Sequence, residues 1–67
     1  MDRQYDIFEI YPNGELLWHC CVTGLENARL KVEEFGRHSS NQFFATHTPT
    51  KEVVARANRE HSKGTQG

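Results

Sequence analysis

His19, Cys20 and Cys21 stand side by side next to the only tryptophan, Trp18. Imidazole and thiolate together can hold a zinc ion, and a thiolate beside a base can act as a nucleophile. Either use requires the groups to converge. In a strand, successive side chains point to opposite faces, so His19 and Cys21 are expected on one face and Cys20 on the other with Trp18. A bond between the two thiols is disfavoured, because neighbouring Cα atoms lie about 3.8 Å apart whereas disulfides span roughly 4.4–6.8 Å. His19 and Cys21, at i and i+2, could both reach a metal, with His47 as a third ligand in a favourable register. No C-x-x-C, H-x-x-x-H or H-E-x-x-H spacing supports such a site, and His38 and His61 fall at a helix end and in a tail. A cysteine nucleophile would need Glu9 or His19 as its base, without a recognisable framework. The expectation is that Cys20 is a small buried hydrophobe and Cys21 a half-exposed strand residue, with no catalytic role, no resident metal and no cofactor.

The elements that would position these residues can be read from periodicity and turn chemistry. Residues 5–11, YDIFEIY, and 16–22, LLWHCCV, are rich in aromatic and β-branched types and flank Pro12-Asn13-Gly14, the pattern of a hairpin. Pro12 suits position i+1 of a type I turn, Asn13 suits i+2, and Gly14 suits the left-handed residue that follows, giving a three-residue loop. Tyr11 then lies opposite Glu15 and Phe8 opposite Trp18, so that Phe8, Ile10, Leu16, Trp18, Cys20 and Val22 share an apolar face. A two-residue Asn-Gly loop would instead put Glu9 beside Trp18 and Cys20.

Thr23-Gly24-Leu25-Glu26 matches a capping box, which predicts a helix starting at Thr23. Leu25, Ala28, Val32 and Phe35 form its apolar stripe, Leu30 lies off the stripe, and Ser39-Ser40-Asn41 ends it. Residues 42–47, QFFATH, and 52–57, EVVARA, form a second hairpin across a turn containing Pro49. Phe43, Ala45, His47, Val53, Ala55 and Ala57 are expected on its helix side, where small side chains let a helix approach closely. Phe44, Thr46, Val54 and Arg56 take the other side. The fold class is α+β, ββαββ: one four-stranded sheet with a helix on one face. The sheet is antiparallel, or mixed if the crossover makes the inner strands parallel neighbours. Residues 1–58 form the single domain, and 59–67 a flexible tail without apolar anchors.

YDIFE at Tyr5–Glu9, GLE at Gly24, NQFFA at Asn41 and EVVARAN at Glu52 are similar to segments of a set of short, uncharacterised bacterial proteins of this length. The resemblance spans about residues 5–58 and implies a shared small fold. No activity and no functional residue come with it.

With 67 residues the chain holds one small domain with a thin core. Domains of this size commonly need a disulfide, a metal or a partner subunit, which makes self-association a natural expectation. The net charge of −1 favours neither nucleic acid nor an anionic membrane. Residues 1–35 hold seven acids against three bases, and residues 36–67 five bases against two acids. No apolar run approaches the roughly 18 residues a membrane span requires, and the charged start is unlike a secretory signal, so a cytoplasmic protein without a membrane partner is expected.

With one face under the helix, Tyr5, Ile7, Leu17, His19 and Cys21, joined by Phe44 and Val54, are expected to look the other way. An apolar face of this kind tends to mark a contact surface. A small binding module that pairs with itself as a homodimer, or with an unknown protein partner, is therefore the first expectation. The alternative is a nucleic-acid-binding domain that stacks bases on Tyr5, Tyr11 and His19 and follows phosphates with Arg56, Arg59 and Lys63. Glu9 on the same face and Glu52 and Glu60 along the basic segment weigh against it. A metal-binding protein using His19 and Cys21 comes third.

Overall fold

A computed structural model describes residues 3–58. The expected tail 59–67, with Arg59, His61 and Lys63, lies outside the described residues. The chain runs β1 (Gln4–Ile10), β2 (Leu16–Thr23), α1 (Leu25–His38), β3 (Gln42–His47) and β4 (Val53–Ala57). The strands form one antiparallel sheet in the order β2-β1-β3-β4, so the inner strands β1 and β3 are antiparallel neighbours. Strands β2 and β3 flank β1 and run in the same direction, and α1 returns the chain between them as in a split βαβ unit.

The first turn forms as its chemistry dictates. The Gly14 amide donates to the Tyr11 carbonyl at 2.8 Å, Gly14 sits at φ 92°, and the Tyr11 amide donates to the Glu15 carbonyl at 2.9 Å. Asn13 Oδ1 accepts from the Glu15 amide at 3.0 Å, which fixes the loop from within. Phe8 pairs with Trp18.

The capping box does not form. Strand β2 continues through Thr23, whose hydroxyl accepts from Gln4 Nε2 at 3.1 Å and is thereby withdrawn from the helix. Gly24 is the N-cap residue instead, at φ 94° and ψ 138°, a conformation that side-chain-bearing residues rarely adopt, and its amide donates to the Arg3 carbonyl.

The helix lies mainly across β3 and β4 and only lightly over β2. Ala28 and Val32 are fully buried, Phe35 is half-buried, and Leu25 and Leu30 are exposed. The core comprises Tyr5, Ile7, Ala28, Val32, Phe43 and Ala45, with Cys20, Val22, Phe35, Val54, Ala55 and Ala57 packed around it. The small residues of the second hairpin are thus on the helix side, as expected. A Cβ added at Gly36 would come within 2.9 Å of the Ala57 Cβ, so the helix approaches β4 as closely as backbone allows.

The helix covers the opposite face of the first hairpin from the one expected. Tyr5 and Ile7, at 4% and 0% exposure, lie under it, while Phe8, Ile10, Leu16 and Trp18 face away. Two features explain the reversal. In the pairing of β1 with β3, Ile7 stands beside Ala45 and Phe8 beside Phe44, so the side with the smaller residues admits the helix. The pairing of β1 with β2 slips between Ile7 and Phe8, leaving His19 as the extra residue of a β-bulge. Across the bulge His19 and Cys20 both turn under the helix, so Cys20 and Val22 keep company with Ile7 and Tyr5 while Trp18 joins Phe8 outside. A similar slip between Ala45 and Thr46 sends Val54 to the core and pairs the exposed Val53 with Thr46.

Candidate functional site

Two arrangements carry polar or aromatic groups in defined geometry, one on each side of the sheet. Under the helix, Glu9 is buried although it carries a carboxylate. Its Oε2 accepts from Asn41 Nδ2 at 2.7 Å, and its Oε1 lies 2.8 Å from His19 Nε2. The Asn41 hydrogen bond first and the His19 hydrogen bond second hold the Glu9 carboxyl below its ordinary range, against the opposing effect of burial. An ionised carboxylate only accepts, so Nε2 carries the proton that bridges the pair. The imidazole lies against Phe35 and Phe43, with ring centroids at 4.7 and 5.8 Å. A carboxylate that orients an imidazole is two thirds of a nucleophilic triad. Among the described residues, however, the ring's hydrogen bond is to Glu9, and no hydroxyl or thiol joins it as the third member.

The expected pairing of His19 with Cys21 does not occur. The bulge turns His19 under the helix, whereas Cys21 is exposed on the open side, its thiol donating to Gln4 Oε1 at 3.1 Å. The ring of His47 packs against Tyr5, and its Nδ1 lies 3.0 Å from the Thr50 hydroxyl. Among the described residues, no three His, Cys, Asp or Glu side chains are placed to share a metal ion.

The open face is built on one row that crosses all four strands. Trp18 of β2 pairs with Phe8 of β1, Phe8 with Phe44 of β3, and Phe44 with Arg56 of β4. At about 4.8 Å between strands the row is about 14 Å long. The Phe8 and Phe44 rings stack at 5.3 Å between centroids and 20° between planes. Trp18 Nε1 donates to Asp6 Oδ1 at 3.1 Å, and Thr48 Oγ1 donates to Asp6 Oδ2 at 3.2 Å, so Asp6 pins the indole and has both carboxylate oxygens engaged. Cys21, Asp6, Thr46 and Val53 form the row on one side, and Leu16, Ile10 and Gln42 continue the face on the other. Leu16 and Trp18 are 59% and 54% exposed.

Of the residues expected on this face, Cys21 and Phe44 are there, and Arg56 is exposed at the end of the row. Tyr5, Ile7, His19 and Val54 are on the covered side, which removes Tyr5 and His19 as base-stacking platforms. Leu17 is exposed at the sheet edge opposite Glu9, and Tyr11 is half-buried beside the first turn. Phe8 and Trp18 are the open-face rings that strand alternation alone assigns to the core. Their mutual facing was legible in the turn, and the side they face was not.

The described residues form a small α+β fold in which one helix covers one face of a four-stranded antiparallel sheet. Comparison with protein-family models, with curated proteins and with solved structures gives no match. No helix among the described residues is long and apolar enough to cross a membrane.

Proposed function

We propose that the protein is a small non-catalytic binding module that self-associates through its open sheet face. The observation that supports this reading is the uncovered surface formed by Leu16, Trp18 and Val53 around the Phe8–Phe44 stack. Contiguous apolar surface of this kind is uncommon on a monomer and costs about 25 cal/mol per Å² while it faces water. The other support is the thinness of the core, in which Ile7 and Val32 are the largest fully buried side chains. A cytoplasmic setting fits the two unpaired thiols, Cys20 and Cys21. Light scattering over a concentration range tests the reading. The parent is expected to be a dimer, and Phe44→Asp, which places a charge at the centre of the face, a folded monomer. A dimer that persists unchanged in Phe44→Asp assigns the contact to another surface.

The aromatic row also favours a second reading, single-stranded nucleic acid stacked on Phe8, Phe44 and Trp18 with Arg56 against a phosphate. The net charge of −1 and the Asp6 carboxylate within the face rank it below self-association.

A further inference from the structure

Resting on self-association through the open face, we propose that two copies pair about a two-fold axis that runs along the strands between β1 and β3, setting Arg56 of each copy over Trp18 of the other. The order of the row, Trp18–Phe8–Phe44–Arg56, carries this. Two sheets can meet face to face about an in-plane axis directed either along the strands or across them. An axis along the strands places β2 of one copy over β4 of the other. Trp18 then meets Arg56, and Phe8 meets Phe44, at both ends of the same symmetric contact. An axis across the strands places each strand over its own copy: centred on this row it sets Arg56 against Arg56, and at no level does it bring Arg56 over Trp18.

Charge decides between them. A guanidinium over an indole is attracted by the ring's negative face, and desolvation strengthens that attraction. Two guanidinium groups brought together between apolar sheets repel each other, and the Asp6 carboxylate of this face stands on β1, two strands away from Arg56 on β4. The strand-parallel axis also sets Val53 over Cys21, two exposed residues of the adjoining row. It matches the aligned packing of twisted sheets, about 10 Å apart and about 30° from parallel, so the rows stay opposed near the axis. Joining copies edge to edge is the less favourable geometry: β2 is interrupted by the bulge at His19, and β4 is five residues long.

Trp18, the only tryptophan, reports on the contact directly. The experiment measures dimer dissociation by light scattering and by protection of Trp18 emission from acrylamide, for the parent, Arg56→Lys and Arg56→Ala. Arg56 is exposed, so the folds are expected to match by circular dichroism. Arg56→Ala is expected to weaken the dimer about tenfold and Arg56→Lys less, with acrylamide protection lost in the same order. A dimer that is unchanged or tighter in Arg56→Ala overturns the axis and leaves the face reading standing. A parent that is monomeric at every concentration overturns both. If a single-stranded oligouridine then quenches Trp18, the occupant of the face is nucleic acid.

Discussion

Glu9 keeps a charge beneath an otherwise apolar layer by spending both carboxylate oxygens on short hydrogen bonds, one to Asn41 and one to His19. Because its folded pKa is depressed, the stability it contributes is present above the ordinary glutamate value of about 4.3 and is lost as pH falls through the lower folded value. Asn41→Ala removes the larger cause of the depression and leaves one oxygen without a partner. It should cost about 1.5–3 kcal/mol in urea unfolding at neutral pH and move the acid-unfolding midpoint upward. An acid limb identical to the parent's would separate Glu9 from acid stability. This cluster was illegible in the sequence because its members come from β1, β2 and the loop before β3. Glu9 reads as a solvated strand charge until the helix is known to lie on its side. The His19-Cys20-Cys21 triplet invites a site, and the structure breaks it with one extra residue in β2.

At the scale of elements, the hairpins and the helix were legible because each is written in local pattern: Pro12-Asn13-Gly14, the alternation of apolar residues, and Ala28 and Val32 on one helix stripe. The helix start was misplaced because Thr23 has two possible uses, and pairing with Gln4 takes precedence over capping. The face was misassigned because bulges leave no mark in composition. The contact between α1 and β4 depends on Gly36, and Asn58 fastens it. Asn58, at φ 57°, places Nδ2 within 3.0, 2.6 and 2.9 Å of the carbonyls of Gly36, Ser39 and Asn41, its two hydrogens shared among three acceptors that include Gly36 in the last turn of the helix. In the sequence Asn58 only marks the end of the domain, since partners 17 to 22 residues away cannot be read from its neighbours. Although alanine is the better helix former, Gly36→Ala should destabilise by about 1–3 kcal/mol, because helix and strand must separate to admit the methyl group. A melting temperature equal to or above the parent's would show that the helix can shift without cost.

For the whole molecule, size pointed to one small domain with a thin core, and the ββαββ order with one helix on a sheet follows from the sequence of local patterns. Strand order did not follow, because the pairing of β1 with β3 is fixed by how two distant hairpins dock under one helix. If the open face supplies part of the stability, the melting temperature should rise with protein concentration for the parent and not for Phe44→Asp, as calorimetry over a hundredfold range would reveal. A concentration-independent value for both would mean that the thin core suffices alone. The place of β1 between β2 and β3 bears, finally, on the order in which the sheet is assembled as the chain folds. A short loop joins β2 to one edge of β1, whereas the other edge waits for β3, where Gln42 to His47 pair with Ile10 back to Tyr5. A chain that has closed only its first hairpin therefore carries a bare strand edge, and the time α1 and β3 take to dock sets how long that edge is open to other chains.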